Sequence, residues 1–468
     1  MTATATRPTV VPPTRTVDRE APHRRRRLRA DLLVTGAWAS AALALALYLS
    51  TGLVDLGSPS AAITSIGIAS GLIGSDLVLV MLVLAARIPA IDRTVGHDRA
   101  MAAHRSLGKP AFSLLLAHAA LLTIGYSLAD GSSVVSETVT LFSSADMPLA
   151  YLSLGLLVAV VVTSLVAVHR RMPYEAWHVV HLLSYAAVLA GLPHQLSMGG
   201  VLAEGTWQRP YWIALYVVAL GSIVVFRVVR PLVASVRHEV TVESVERIAP
   251  DAFSIHLAGR DLDRLGARGG QFFFWRFWAP GTWWHAHPIS VSAVPTARSA
   301  RITVRELGDG TRSLSRLRPG TRVSFSGPFG LFTSLVRRNR KVAVLAAGIG
   351  ITPVLSLLSR LDARAGDVTV IARGSDESEL YLWQELQDWA DVNGMRAYRS
   401  VGSRARGRDA WLSAHDVARG VTTRSVFPDL ADSDVYLCGP DGWADAAESA
   451  LLAAGASRES IHRERFDW

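Results

Sequence analysis

The sequence predicts a multidomain membrane protein. A six-helix transmembrane bundle comes first, then a small antiparallel β-barrel and a doubly wound α/β domain. Three observations predict this. Half of the 468 residues are hydrophobic and only 19% are charged, with a mean hydropathy of +0.27; this excludes a mostly disordered chain and disfavours an ordinary soluble enzyme. The first half holds six apolar runs near the ~20 residues a helix needs to cross a bilayer. Beyond about Arg237 the texture changes to short alternating segments, then to strands alternating with helices.

In chain order, residues 1–30 read as a disordered basic tail rich in Thr, Pro and Arg. A twin-arginine export signal is the competing reading. It fits less well, because the apolar run is long, no clear small-residue cleavage site follows it and more spans come after. Residues 31–232 form the membrane domain, with spans near Leu32–Leu53, Ile63–Ala86, Met101–Leu128, Leu149–Val168, Tyr174–Leu196 and Tyr211–Val229. Gly108 and Pro110 predict a kink in the third.

Basic residues fix the expected orientation. Arg24–Arg27 and Arg29 precede the first span, Arg87, Arg93, Arg99, Arg105 and Lys109 lie between the second and third, and Arg170 and Arg171 between the fourth and fifth. Arg227, Arg230 and Arg237 follow the last span, while the three opposite connections hold only Arg209. Positive loops stay inside, so both termini are expected in the cytoplasm of a multi-pass cell-membrane protein. The net charge of +9 is then mostly an insertion signal. No interleaved basic and aromatic pattern calls for nucleic acid.

Residues 237–335 carry the barrel segments His238–Glu246, Phe253–Leu257, Phe272–Phe277, Arg301–Glu306 and Arg322–Ser326, punctuated by Gly and Pro. In residues 340–468 the expected strands are Val342–Ala347, Val368–Ala372, Arg396–Ser400 and Val435–Cys438. The helices are Pro353–Asp362, Glu379–Ala390 and Trp443–Ala454.

Candidate chemistry begins with histidine. The single cysteine, Cys438, excludes an intramolecular disulfide, a cysteine-only zinc site and a four-cysteine iron–sulfur cluster within this chain. Ionisable residues inside a span are costly and read as functional by default. The third span carries His104 and His118, and the fifth His181 and His194. These separations correspond to roughly 20 Å along a helix. With both spans running the same way, His104 and His181 share the inner level and His118 and His194 the outer. One histidine from each helix at each level can clamp a haem iron. The plainer reading is four hydrogen-bonded structural histidines. His178, one turn before His181, is the competing inner residue. Fourteen steps of about 100° return His118 to within about 40° of His104, but thirteen leave His194 roughly 140° from His181. A local distortion of the fifth helix is therefore expected. His97 and His169 are expected to be solvated at the cytoplasmic surface. Arg99, Arg105, Lys109 and Arg170 read either as partners for haem propionates or simply as inside-positive charge.

"HRSLGKPAFSLLLAH" (104–118) and "YEAWHVVHLLSYAAVLAGLPH" (174–194) resemble the ferric-reductase-like membrane domain shared by NADPH oxidases and ferric reductases, and the soluble half resembles that family's reductase module. The resemblance implies two b-type haems with His104, His118, His181 and His194 as iron ligands, and it chooses His181 over His178. It makes the barrel an FAD domain and the α/β unit a nucleotide-binding domain of ferredoxin–NADP reductase type. "HPISVSA" (287–293) is similar to the FAD motif, which places His287, Pro288, Ile289 and Ser290 along the flavin, Ser290 near its N5. "VRELGDGTRSL" (304–314) implies that Arg305, Thr311 and Ser313 meet the FAD phosphates; an ordinary glycine turn is the alternative.

"LAAGIGITPVLSLL" (345–358) resembles the family's nucleotide loop. Gly348 and Gly350 admit close approach, Thr352 follows, and Pro353 opens the helix at its first position. "YLCGPDGW" (436–443) resembles the second nucleotide segment, so Cys438, Gly439 and Pro440 would lie by the nicotinamide; a buried core cysteine is the alternative. The "ERFDW" ending implies that Phe466, or its rival Trp468, covers the flavin. Arg373 and Arg404 are the candidates for a 2′-phosphate, favouring NADPH, with NADH possible.

The expected function is a transmembrane flavohaem oxidoreductase. It would pass electrons from cytoplasmic NADPH through FAD and the haems to an extracytoplasmic acceptor, a ferric chelate or oxygen. Leu122 stands where oxygen-reducing relatives often carry a further His, and the outer second span has no arginine; both lean towards metal reduction. The outer connection, with Asp130, Glu137 and Asp146, reads either as a solvated loop or as a weak ferric-binding surface. Two other classes stay open: an electron donor to a dedicated extracytoplasmic partner protein, and a haem-binding sensor or transporter. No protein partner is named by the sequence beyond these, and membrane lipid is implied by the spans.

Overall fold

The computed structural model describes residues 20–165, 171–172, 174–197 and 200–465. Its membrane part is built from α1 (Glu20–Leu49), α2 (Pro59–Ala85), α3 (Pro89–Thr94), α4 (His97–Asp130), α5 (Val134–Phe142), α6 (Met147–Ser164), α7 (Tyr174–Ser197), α8 (Gln208–Ile223) and α9 (Arg230–His238). A π-helical turn, Val224–Val229, joins α8 to α9 in one rod. Among the described residues six helices are long and apolar enough to span a bilayer: α1, α2, α4, α6, α7 and the α8–α9 rod.

Local chemistry sets these helices. Ser58 caps α2 by accepting from the Ala61 amide, and Pro59 takes the first helical position. Gly131, at φ +64°, closes α4 in the left-handed conformation that glycine adopts without strain. α4 is one continuous helix with Pro110 inside it. α2 presents the buried small residues Gly67, Ser70, Gly71 and Gly74, so α4 can approach closely, as small residues permit between membrane helices. Ser40 donates to the Asp76 carboxylate at 2.6 Å, joining α1 to α2 inside the bundle.

The connection between α4 and α6 is not a plain loop. Val134–Phe142 forms a helix with Ser133 as its cap, and Glu137 is buried there, accepting from Ser132. The carboxylates of this segment are thus not a shared exposed surface.

Six antiparallel strands follow: β1 (Thr241–Ala249), β2 (Ala252–Ala258), β3 (Phe272–Phe277), β4 (His287–Ala293), β5 (Ser299–Arg305) and β6 (Val323–Phe329), in the order β1-β2-β5-β4-β3-β6. A bridge between Thr241 and Arg322 and the Val323 N–H to Val240 carbonyl bond tie β6 back to β1, closing a barrel. Its core includes Phe253, Phe273, Trp275, Phe277, Val291 and Ile302.

The last sheet is parallel, β7 (Lys341–Ala347), β8 (Val368–Gly374), β9 (Arg396–Val401), β10 (Ser433–Cys438) and β11 (Ile461–Glu464), ordered β11-β10-β7-β8-β9. Strand order reverses between β7 and β10. In such sheets the crevice at the carboxyl ends of those two strands is where ligands bind. Short, continuously buried β7, β8 and β10 are read easily as parallel strands.

Candidate functional site

The site has three levels. Two lie in the bundle, where α4 faces α7. The His104 and His181 rings are 6.2 Å apart between centres, and the His118 and His194 rings 6.5 Å. Two imidazoles bound to opposite faces of one iron, at about 2 Å per metal–nitrogen bond, have centres about 6–6.5 Å apart. Both pairs fit that spacing. His104 Nδ1 lies 3.0 Å from the Met81 carbonyl and His118 Nδ1 2.9 Å from the Gly67 carbonyl. A carbonyl only accepts, so Nδ1 carries the hydrogen and each Nε2 keeps its lone pair for a metal. His194 Nδ1 is buried on the side of the Gly191 backbone, one turn earlier in α7.

A cavity of about 360 Å³ opens beside the outer pair, lined by Gly71, Leu115, His118, Tyr151, His194 and Tyr216. A Cβ on Gly71 would stand 2.3 Å from His118 Nδ1; only glycine leaves the ring its place. The described residues hold no group of three or more His, Cys, Asp or Glu suited to a bare ion. Paired imidazoles across an apolar cavity suit a planar iron macrocycle. The ring opposite His104 is that of His181, which stacks on Trp177 at 5.0 Å; His178 neighbours Trp177 instead. α7 is helical throughout despite the unfavourable phase of His194. Pro193, beside it, removes one backbone N–H from the ladder there.

The third level is the barrel face turned to the bundle. Phe272 pairs with Ser290 and Phe274 with Pro288 across β3 and β4. These residues share the face opposite the Phe273 and Trp275 core side. Among the described residues Ser290 Oγ and His287 Nε2 are both buried without a hydrogen-bond partner, as expected where a polar ligand belongs. Burial, with Arg276 and His285 nearby, pulls the His287 pKa down to about 4. Ile289 differs from its expected place: its side chain packs on the barrel core and its carbonyl accepts from Trp275 Nε1 at 3.0 Å.

Thr311 caps the short helix Asp309–Leu314, accepting from the Leu307 and Gly308 amides. Ser313 donates to the Gly310 carbonyl. Gly310 adjoins the His287 ring. Arg305 does not stand free for a phosphate. Its Nε donates to Asp251 at 2.8 Å and a terminal nitrogen to Glu379 at 2.9 Å, linking the barrel to the α/β domain.

At the crevice, Gly348 has φ +53° and leads through a 3-10 turn into the helix Ile351–Leu358. The helix begins two residues before Pro353, not at it. Pro353 still sits in the first turn, where no N–H is needed. Thr352 is buried, donating to the Ile349 carbonyl. A Cβ on Gly350 would stand 2.3 Å from the Cys438 carbonyl, and one on Gly439 2.9 Å from the Ala347 Cβ. The two glycines thus let the crevice walls touch. Pro440 precedes the helix Asp441–Ala454. The Cys438 thiol, fully buried in the core, is not exposed to the crevice; burial pushes its pKa up, so it stays a neutral thiol.

Arg373 is buried, with its guanidinium donating to the carbonyls of Gly374, Ser400 and Gly402. To meet a phosphate it would have to release them. Arg404 is exposed at the same edge, held by the Ala410 and Gly442 carbonyls. Phe466, Trp468, His169 and Arg170 lie outside the described residues.

Two residues of this region escaped the sequence reading. His97, expected in solvent, is buried at the base of α4, 3.2 Å from Asp92. It sits among Phe272, Phe274 and Phe329, with ring centres 5.3–6.3 Å away. Its place two turns before His104 on one helix face was the available signal. Arg227 lies inside the last span and donates to the Tyr185 hydroxyl at 3.2 Å; counted among flanking charges, it is an intramembrane guanidinium.

Comparison with known proteins decides the class. Residues 70–192 match the family model of the ferric reductase like transmembrane component, and residues 344–449 that of the oxidoreductase NAD-binding domain. The chain thus carries a ferric-reductase-like transmembrane segment, within six helices able to span a bilayer, ahead of an oxidoreductase NAD-binding domain.

The chain is similar to an "NADPH oxidoreductase" of Mycobacterium tuberculosis, 30% identical over 42% of this chain and 51% of that protein. It is also similar to the ferredoxin reductase component of a 3-ketosteroid-9-alpha-monooxygenase from Rhodococcus rhodochrous, 27% identical over 48% of this chain and 64% of that protein. The chain spans about half to two thirds of the length of these curated relatives. Among solved structures, the FAD/NAD binding domain of a nitric oxide dioxygenase from Vibrio cholerae aligns with TM-score 0.41 and 24% identity, over 48% of this chain and 98% of that one.

Proposed function

We propose that this oxidoreductase carries electrons from NADPH across the membrane to an acceptor on the far side, with FAD on the barrel and two b-type haems in the bundle. The observation that carries the reading is the pair of imidazole pairs, each at the spacing of a shared iron, on the same two helices. Flavin supplies acceptance of a two-electron hydride and release of single electrons, which haem iron takes one at a time.

The chain's own residues do the rest. His104 and His181 would hold the inner iron, and His118 and His194 the outer. Backbone carbonyls of α2 fix the tautomer of His104 and His118. Ser290 and His287 offer unspent polar atoms to the flavin. The close-packed glycines of the β7–β10 crevice admit the dinucleotide, and Arg404, with Arg373 behind it, receives the 2′-phosphate. With two histidines given to each iron, no open coordination position would be left for an acceptor, so electrons would leave without the acceptor bonding to the metal.

Both termini lie on the NADPH side, following the basic connections. The acceptor is a ferric chelate in preference to oxygen, a lean supported by Leu122. Haem quantification tests the reading. His118→Leu or His194→Leu should each remove about one of two haem equivalents per chain while NADPH still reduces the flavin. Full haem content in both variants would overturn it.

A further inference from the structure

The loop between β3 and β4, Trp278–Ala286, exposes three tryptophans: Trp278 at 54%, Trp283 at 54% and Trp284 at 41%. Indole is costly to leave in water, and a cluster of three on one loop is not the scattered apolar exposure normal for a surface. The loop is ordered rather than loose. The Trp278 amide donates to the Arg322 carbonyl at 2.9 Å and its Nε1 to Ser324 at 3.0 Å. Arg276 holds the Trp283 carbonyl at 2.9 Å, and Thr282 donates to the Phe277 carbonyl. A built loop that turns its indoles outward is made for a surface.

Its position says which surface. His285 of the loop and Arg276 just before it are within electrostatic reach of His178, in the second turn of α7. Ser324, the partner of the Trp278 indole, lies on β6, and β6 also packs against α9. α9 continues the last span and exposes Leu232, Val233 and Val236. The lipid-facing surface of the bundle therefore runs on towards the loop. Charge agrees: from Arg264 to Arg305 the sequence has no Asp or Glu, and anionic headgroups favour such a stretch.

We infer that Trp278, Trp283 and Trp284 form an interfacial anchor that seats the barrel in the phospholipid headgroup layer beside α7 and α9. Tryptophan is the residue enriched at that depth, where its ring is half apolar and its N–H still finds a partner. The anchor would set the height of the barrel under the bundle, and with it the approach of the β4 face to the inner histidine pair. The inference rests on the membrane assignment alone and stands or falls independently of the haems.

The native chain has one cysteine, fully buried, so an introduced cysteine can be spin-labelled selectively. Full-length W283C and, as a solvent control, V392C on the α/β domain would be labelled in nanodiscs of phosphatidylcholine and phosphatidylglycerol. Accessibility to lipid-soluble oxygen and to an aqueous nickel chelate would then be compared. The label at 283 should favour oxygen several-fold over the control. A label at 283 as open to the chelate as that at 392 would overturn the anchor; so would one closed to both probes, which would mean a protein surface covers the loop. Because W283C removes one of the three indoles, intrinsic fluorescence of the unaltered loop supplies a second reading. Acyl chains brominated near the headgroup should quench a larger fraction of wild-type emission than of the W278F/W283F/W284F variant. Equal fractional quenching would contradict the anchor.

Discussion

At the residue scale, side chains that look alike in sequence separate by what surrounds them. Two glycines show this. Gly71 is a cradle for His118, and Gly350 is a seam between crevice walls. Gly71→Val should push the His118 ring away and cost the outer haem while the inner pair keeps its own; redox titration would then show one haem transition in place of two. Arg404→Ala should raise KM for NADPH about tenfold with little change for NADH, the expected scale for one lost charge-assisted phosphate contact. Equal effects on both nucleotides would count against the 2′-phosphate role.

His287 gives a pH prediction. Its folded pKa, about 4, lies below the ordinary value near 6.5, so the unfolded chain binds the extra proton first. The flavin-free protein is therefore unaffected by this group above about pH 6.5. It loses stability as pH falls from there towards 4, by at most about 3 kcal/mol. Denaturant titrations at pH 7.5 and pH 5 should show that loss in the wild type and a smaller one in His287→Gln.

At the element scale, what was legible and what was not have physical causes. The spans were readable because a helix in lipid must be apolar along its whole length, and the barrel strand Phe272–Phe277 because its run is bounded by turn residues. β11 was missed because four residues, Ile461–Glu464, carry too little pattern, and α5 because a nine-residue helix hides between polar caps. Arg305 and Arg373 were readable as arginines but not as to their partners: nothing local announces Asp251 and Glu379, or the carbonyls of Gly374 and Gly402. His97 was misplaced because a charge-rich flank normally faces water, whereas here the barrel's aromatic face covers it.

The joint between barrel and α/β domain carries a prediction at this scale. The Gly270 amide donates to Ser356 at 2.8 Å, and a Cβ on Gly269 would stand 1.8 Å from the Ser356 carbonyl. Backbone meets backbone there, so nothing can yield cheaply. Gly269→Ala should cost more than about 2 kcal/mol of stability and release flavin more readily, measured by thermal unfolding and flavin retention on gel filtration. An unchanged melting temperature would show that the two domains do not meet so closely.

At the scale of the whole molecule, α4 unites the parts. Its base, His97, is held in the barrel's phenylalanine cluster; His104 and His118 follow along its length towards the far side. One rigid element thus sets the barrel face and both histidine pairs in line, while the ion pairs of Arg305 fasten the α/β crevice to the same barrel. Electrons entering at the crevice would meet the flavin face, then the inner pair, then the outer. The measurement that tests this order most directly is an anaerobic visible spectrum of the haem-loaded protein on adding NADPH. The account predicts that flavin absorbance bleaches and reduced b-type haem bands then appear. Flavin that bleaches while every haem stays oxidised would contradict it.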